Sequence, residues 1–309
     1  MQALQDPAAG PSRDAPHASP TSHLTPPHGP LGAPVSRKKT PPPPVAVTPL
    51  VDTHCHVAFA AFDEDRDAVL ARAREAGLVG LVAVSVDAAS ADAALALAEA
   101  EPGFVHPTAG VHPTEESCGA PGAFEAVSER LASGRFVAVG ETGLDDYHDS
   151  VPLERQRESL DAHLRRALEL DLPVILHCRD AFEPLIECLA PYRGAGLRGV
   201  LHCFTGEPHH VEPLLEAGLH IGIGGIATYK PRGDLRQVVR ELPPDRLVLE
   251  TDAPWLAPMP VRGRRNEPSY VAHVAHQLAA DGQANGGTET VEALARRTTE
   301  NARALFGIG

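Results

Sequence analysis

The chain has 309 residues, a net charge of −14 and an apolar content of 43%, with 16 histidines and five cysteines. An odd number of cysteines without regular spacing, in a chain of this length, favours free thiols over a disulfide framework. No apolar run is long enough to span a bilayer, and the N-terminus lacks the basic start and apolar stretch of a secretion signal. We therefore expect a cytoplasmic globular protein with no membrane association and no obligate protein partner.

Residues 1–46 differ in composition from the rest of the chain. They are rich in Pro, Ala, Ser and His, and they end in a short basic run followed by four prolines. Such a segment buries too little apolar surface to offset the entropy of ordering, so we predict a disordered extension. It would be a basic tether for nucleic acid, a ligand for a proline-binding partner, or a dispensable addition. The remaining residues, 47–309, carry a net charge of −16 because the extension carries +2.

From residue 47 onward, apolar runs alternate with amphipathic segments. Eight apolar runs predict strands at Val47–His56, Leu78–Val86, Phe104–His112, Phe136–Leu144, Leu172–Cys178, Val200–Phe204, His220–Ile226 and Leu247–Asp252. Helices are predicted near 63–76, 88–100, 122–132, 153–170, 182–190, 208–217, 234–241, 269–281 and 288–305. This alternation is typical of a parallel sheet covered by helices, and eight repeats indicate closure. We predict an α/β fold, a (β/α)8 TIM barrel over 47–309, a length close to the ~250 residues typical of that fold.

Six potential metal ligands occur where predicted strands end, which is where barrel enzymes place their chemistry. They are His54, His56, Glu141, His177, His202 and Asp252. A lone histidine at a strand end is more often hydrogen-bonded scaffolding than a ligand. Six ligands at five strand ends, however, suit divalent ions such as Zn²⁺ or Mn²⁺ and exceed what one open catalytic site needs. The set therefore predicts two metals that share a carboxylate.

Three cysteines directly follow candidate histidine ligands: Cys55, Cys178 and Cys203. Side chains alternate along a strand, so His54 and His56 point to one side and Cys55 to the other. We expect all three thiols to face the helices as small apolar groups and not to bind metal.

Seven segments resemble the TatD family of metal-dependent deoxyribonucleases, in order and at similar spacing. They are His54–His56, Gly110–Pro113, Gly140–Asp145, Leu176–Ala181, Leu201–Gly206, Glu250–Leu256 and Arg265–Pro268. The resemblance covers about 48–309 and implies a metal-dependent (β/α)8 barrel that trims DNA, often from the 3′ end. Two departures are Asp146, which intervenes before Tyr147, and Trp255, where tyrosine is common.

The resemblance also implies roles for the six ligands. His54, His56 and Asp252 would hold one metal, His177 and His202 the second, and Glu141 would bridge the two. Two cations roughly 3.5–4 Å apart lower the pKa of a bridging water and stabilise charge on phosphoryl oxygens. Asp252 is predicted both to bind metal and to accept the proton of that water, so that it and Glu141 form the predicted catalytic pair.

Further residues near the strand ends have two open interpretations each. His112 and Arg179 are candidates to contact the substrate phosphate. Alternatively, His112 is a hydrogen-bonded loop histidine and Arg179 belongs to a surface ion pair. Glu267 and Arg265 are predicted to support the ligands from behind, by orienting one of them or by fixing the last loop, although the segment also suits a helix start at Pro268. Four other histidines are interpreted as solvent-facing or helix-surface residues: His209, His210, His273 and His276.

The predicted function is cleavage of DNA phosphodiester bonds, with two divalent ions (Zn²⁺, Mn²⁺ or Mg²⁺) per chain. One alternative is a barrel hydrolase of esters, lactones or amides. Those enzymes often bridge their metals with a modified lysine on the fourth strand, whereas this chain has Glu141 there and only three lysines, Lys38, Lys39 and Lys230. A second alternative is a non-catalytic binding protein recruited through its extension, against which the intact ligand set argues.

Overall fold

A computed structural model describes residues 45–309, and these form a (β/α)8 barrel, as predicted. Within this part of the chain, eight parallel strands follow one another in the order β1 to β8. They are β1 (Leu50–Cys55), β2 (Leu78–Ala83), β3 (Val105–Ala109), β4 (Ala138–Asp145), β5 (Val174–Arg179), β6 (Gly199–Leu201), β7 (Leu219–Ile223) and β8 (Leu247–Leu249). The predicted extension falls almost wholly on residues 1–44, which lie outside the described residues.

Helices occur wherever the amphipathic segments predicted them. They are α1 (Arg66–Glu75), α2 (Ala88–Ala100), α3 (Ala123–Leu131), α4 (Leu153–Leu170), α5 (Phe182–Leu189), α6 (Pro208–Glu216), α7 (Gly233–Glu241), α8 (Val271–Ala284) and α9 (Val291–Phe306). Asp87 caps α2 by accepting the backbone N–H of Ser90 at 2.7 Å, which satisfies a donor that the first turn leaves unpaired. Within 45–309, no helix has the length and apolarity needed to cross a membrane.

Two apolar clusters divide the barrel into an outer and an inner core. Residues such as Val174 and Leu176 of β5 belong to the larger cluster, which also contains the buried faces of the helices. The alternate residue Ile175 belongs to a smaller cluster with Val200 of β6 and with the end of α9. Because strand side chains alternate, this smaller cluster fills the barrel interior. The opposite end of the interior, at the carboxyl ends of the strands, is left to polar side chains.

The barrel closes between β8 and β1 through an irregular seam. Pairing of β1 with β2 shifts register between Asp52 and Cys55. Beyond the end of β8, Asp252 N donates to His54 O at 2.8 Å, and His56 N donates to Ala253 O at 2.8 Å. The seam therefore brings Asp252 beside the two histidines of β1, although about 200 residues separate them in the chain.

Candidate metal centre

The six predicted ligands converge at the barrel mouth, where the carboxylate of Glu141 is buried among the other five. Its two oxygens face different partners. Oε2 lies 3.3 Å from His54 Nε2, whereas Oε1 lies 2.8 Å from His202 Nε2. One carboxylate thus stands between two sets of donor atoms, which is the arrangement expected of a bridging ligand.

We define the first donor group as His54, His56 and Asp252 together with Glu141 Oε2. The two histidine Nε2 atoms are 3.2 Å apart. Asp252 Oδ1 is 3.6 Å from His56 Nε2 and 3.9 Å from His54 Nε2. The donor atoms of His54, His56 and Glu141 lie close enough to share one ion, Asp252 lies beside the two histidines, and all four side chains are buried.

We define the second donor group as His177 and His202 together with Glu141 Oε1. His177 Nδ1 is 3.1 Å from Glu141 Oε1 and 3.4 Å from His202 Nε2. This group is slightly more open, since the side chain of His177 is 15% exposed against 0% for His54. The second group thus lies nearer the solvent.

Acceptors on the far side of the rings orient several of these histidines. His56 Nδ1 donates to Val84 O at 3.0 Å, so its Nε2 carries the lone pair that faces the first donor group. His177 Nε2 donates to Asp145 Oδ2 at 3.0 Å, which leaves Nδ1 free to face Glu141. Glu250 Oε1 lies 3.6 Å behind His202 Nδ1. Carboxylates and carbonyls behind imidazoles are the usual way in which proteins fix the tautomer of a metal-binding histidine.

The charges of the site are strongly coupled. Burial lowers the pKa of His54, so its ring is neutral at neutral pH. Burial opposes ionisation of Glu141, but the surrounding imidazoles, His202 foremost, outweigh it and hold the pKa of Glu141 well below its usual value. Burial likewise opposes the charge on His202, whose pKa Glu141 nevertheless raises well above the usual value. The buried carboxylates therefore require compensating positive charge, which protonated histidines or divalent cations can supply.

The donor set fits divalent cations. Four tetrahedral ligands at the usual zinc–nitrogen distance lie about 3.3 Å from one another. In the first donor group the two histidine Nε2 atoms lie 3.2 Å from each other and 3.3 to 3.9 Å from the carboxylate oxygens of Glu141 and Asp252. The separations in the second group are 2.8, 3.1 and 3.4 Å. Imidazole and carboxylate donors suit Zn²⁺ and Mn²⁺, and the two carboxylates also admit Mg²⁺. Both groups therefore offer nitrogen and oxygen atoms at separations compatible with a bound divalent cation.

Two buried residues that sequence reasoning did not select hold the seam beside the first donor group. Asp52 accepts the N–H of Thr251 at 2.9 Å, the Thr251 hydroxyl at 2.6 Å and the N–H of His54 at 3.2 Å. Asn266 donates to Thr251 O at 2.8 Å and to Trp255 O at 2.6 Å. Asp252 itself has a φ of 59°, a left-handed conformation that Asp tolerates better than most residues. The segment that carries Asp252 is thus fixed from both sides.

A glycine and a glutamine position the region behind the second donor group. Gly143 has a φ of 147°, and a Cβ there would lie 2.1 Å from His177 O, so only glycine lets β4 approach β5 this closely. Gln156 of α4 accepts Asp145 N at 2.7 Å and donates to Asp145 O at 2.9 Å. These contacts fix Asp145, which holds His177.

The predicted substrate contacts lie at the same mouth. His112 Nε2 is 3.5 Å from Glu141 Oε1, and Thr114 N donates to His112 Nδ1 at 3.2 Å. The neutral ring of His112 therefore carries its proton on Nε2, which faces the site. The Arg179 guanidinium lies 3.7 Å from the ring centroid of Tyr147, whose side chain is 46% exposed. A cation–π contact of this kind holds the guanidinium at the rim.

The residues predicted to support the ligands are engaged in ion pairs with the α1 region. Glu267 accepts from Arg72 at 2.6 and 2.9 Å, and Arg265 donates to Asp65 at 2.6 and 2.8 Å. These pairs tie the segment after β8 to α1, which corresponds to fixing the last loop.

The prediction that His210 lies on a solvent-facing surface was wrong. His210 is buried, stacks on Phe182 at 4.5 Å, and accepts Glu207 N at 2.9 Å at the start of α6. Packing of α6 against α5 buries the ring, a tertiary contact that no local pattern indicates. Cys55 and Cys178 are buried in the outer core, as the strand alternation predicted.

Comparison with known proteins agrees with the resemblance. A family model described as TatD related DNase matches residues 51–307. The chain is 40% identical over 264 residues to the 3′-5′ ssDNA/RNA exonuclease TatD of Erwinia amylovora, an alignment that covers 84% of this chain and 100% of the relative. It is 36% identical over 259 residues to the uncharacterized metal-dependent hydrolase YabD of Bacillus subtilis, with 84% and 99% covered.

A solved structure shows the same architecture. The crystal structure of YjjV, a TatD homologue from Escherichia coli, superposes with a TM-score of 0.77 at 33% identity, covering 84% of this chain and 98% of that one. The family match extends over nearly all of the residues that form the barrel, and the relatives are covered over almost their full length. The chain therefore belongs to the family of TatD-related DNases and is a metal-dependent hydrolase of ester bonds.

Proposed function

We propose that this chain removes nucleotides from the 3′ end of single-stranded DNA, with a water molecule activated by two divalent cations. The observation that carries the proposal is the position of Glu141, whose two oxygens face two separate histidine groups at 3.3 and 2.8 Å. The names of the Erwinia relatives, 3′-5′ ssDNA/RNA exonucleases, support the polarity and the single-stranded substrate.

In the proposed mechanism, His54, His56 and Asp252 would hold one metal, His177 and His202 would hold the other, and Glu141 would be shared by both. Bound divalent cations supply Lewis acidity, which lowers the pKa of a water and stabilises the charge that develops on phosphorus-bound oxygens. Burial would raise the pKa of Asp252, but its hydrogen bond with His56 and the charge of His202 outweigh burial and lower it. Asp252 is therefore ionised at neutral pH and able to accept the proton of the attacking water.

Two rim residues would bind the phosphate. His112 presents an Nε2–H that can donate to a phosphoryl oxygen, and burial lowers its pKa, which keeps the ring neutral. Arg179 offers a planar fork that matches two phosphate oxygens, and its stacking on Tyr147 reduces the entropy lost on binding. A chain with a net charge of −14 repels nucleic acid at long range, so local cations at the site are needed to retain a phosphodiester.

The test is a cleavage assay on chelator-treated protein reconstituted with Zn²⁺, Mn²⁺ or Mg²⁺. A single-stranded oligonucleotide labelled at its 5′ end should shorten stepwise from the 3′ end, and metal analysis should find two ions per chain. An RNA of the same sequence shows which sugar is accepted. Turnover of lactones or amides with intact DNA would overturn the proposal, and a single bound ion with full activity would overturn the two-metal mechanism.

A further inference from the structure

Two aromatic rings, those of Phe59 and Trp255, lie at the barrel mouth beside the first donor group. The ring centroid of Trp255 is 5.1 Å from that of His56, and the ring of Phe59 is 4.7 Å from His56 and 6.1 Å from Trp255. Both side chains are partly exposed, and neither belongs to the apolar clusters formed by residues 45–309. Core packing therefore does not account for two large rings at this position.

The backbone that carries Trp255 is held rigidly relative to the site. Trp255 N donates to Asp252 O at 2.8 Å, and Trp255 O accepts from the buried side chain of Asn266 at 2.6 Å. The rings of Phe59 and Trp255 form a T-shaped pair with an interplanar angle of 81°, so that Phe59 braces the indole. An aromatic surface fixed in this way loses little conformational entropy when a ligand binds to it.

Aromatic faces bind unpaired nucleobases by stacking, and every base offers such a face. A phosphodiester bound between the donor groups would carry a nucleoside on either side of the reacting phosphorus, within reach of the ring that neighbours His56. We propose that Trp255, braced by Phe59, is a stacking platform for the base of a nucleotide that flanks the scissile phosphate. The inference rests on the proposed nuclease activity and assigns to Trp255 the preference for unpaired ends.

The first test compares oligonucleotides that carry an abasic analogue at the 3′-terminal or the penultimate position with the unmodified strand. Stacking is worth ~1–3 kcal/mol per base, so one of these changes should lower kcat/KM of the wild type about 10-fold, mainly through KM. Trp255→Ala should cleave the abasic and unmodified strands with similar kcat/KM, and Trp255→Phe should keep part of the difference between them. Met259→Ala, an exposed residue of the same segment, should discriminate like the wild type. If Trp255→Ala lowers kcat/KM by the same factor on all three strands, the role of Trp255 is merely structural and the proposal is overturned.

The second test needs no variant, because Trp255 is the single tryptophan of the 309 residues. An oligonucleotide with a hydrolysis-resistant phosphorothioate at its last linkage should quench the tryptophan emission, and the strand that is abasic at both end positions should quench it less. Unchanged emission at saturation, monitored by the anisotropy of a labelled strand, would overturn the platform. If no strand is cleaved, the proposed nuclease activity fails, whereas the emission titration still decides whether Trp255 stacks.

Discussion

The two donor groups that face Glu141 are held in different ways. The first lies on the seam where the barrel closes, and the buried carboxylate of Asp52 joins the backbone of His54 to that of Thr251, next to Asp252. The second lies on the neighbouring strand ends of β5 and β6, and carboxylates lie behind its imidazoles. The first group is therefore placed by the backbone, and the second by side chains.

This difference separates stability from metal affinity. The hydrogen bonds of Asp52 also close the barrel. A substitution of Asp52 should therefore lower both the free energy of unfolding and the metal affinity of the first donor group. Asp145 and Gln156 orient His177 from β4 and α4 without joining the two ends of the sheet. A substitution behind the second donor group should therefore weaken the binding of one metal and leave the free energy of unfolding nearly unchanged.

The largest effect is expected for Glu141→Gln, because Glu141 belongs to both groups. Loss of its charge should weaken both metals and lower kcat/KM at least about 1000-fold, which corresponds to about 4 kcal/mol of transition-state stabilisation. Metal content and cleavage of a labelled strand are the measurements. Glu129→Gln, on the exposed face of α3, is the matched control. Retained cleavage by Glu141→Gln would contradict the bridging role.

The next effect is on stability at the seam. Asp52→Ala leaves the N–H groups of His54 and Thr251 and the Thr251 hydroxyl without their acceptor, and each buried unpaired donor costs ~1–3 kcal/mol. Partial rearrangement reduces the sum, and we expect the free energy of unfolding to fall by about 3 kcal/mol in urea denaturation. Asp52→Asn keeps an acceptor and should lose less than half of this. A loss no larger than that of the exposed control Asp149→Ala would show that the seam does not depend on Asp52.

The second group is probed by Asp145→Asn. The amide is a weaker acceptor for His177 Nε2 than the carboxylate, and such changes typically cost 10–100-fold in metal affinity. Competition with a chelator should therefore remove one ion more easily than in the wild type and leave the other unaffected. Equal weakening of both ions would remove the distinction between the two groups.

The sequence predicted the barrel and all six converging side chains for simple geometric reasons. In a parallel barrel, carboxyl ends of strands meet at one face, and alternation puts His54 and His56 on one side. Six of the eight strands end earlier than predicted: β2, β3, β6, β7 and β8 by three residues each, and β1 by one. Asp252 adopts its positive φ just beyond the end of β8.

The supporting residues could not be predicted in the same way. Asp52 and Asn266 act through contacts with backbone atoms of the seam, and those contacts depend on how the barrel closes. Gly143 is required because β5 passes 2.1 Å from where its Cβ would be, a distance that only the three-dimensional register sets. Local patterns place chemistry at strand ends, whereas the atoms that orient it come from distant parts of the chain.

A contact from α4 also supports the segment that carries His112. The buried His163 donates from Nδ1 to Ser159 O at 2.7 Å and accepts Val111 N at 3.2 Å, which fixes the backbone next to His112. Burial lowers the pKa of His163 to about 4, although its hydrogen bond to Ser159 opposes the shift. The unfolded chain, with a pKa near 6.5, therefore takes up this proton first as the pH falls. The stabilisation is complete above about pH 6.5 and is lost progressively between that pH and about 4.

His163→Gln should remove this pH dependence, because glutamine can accept Val111 N without titrating. Between pH 7.5 and 5, the free energy of unfolding of the wild type should fall by about 2 kcal/mol more than that of the variant. Urea denaturation at both pH values measures the difference, and His209→Gln, on an exposed side chain, should behave like the wild type. Parallel pH profiles for His163→Gln and wild type would mean that a neutral, buried His163 does not contribute the predicted stabilisation above about pH 6.5.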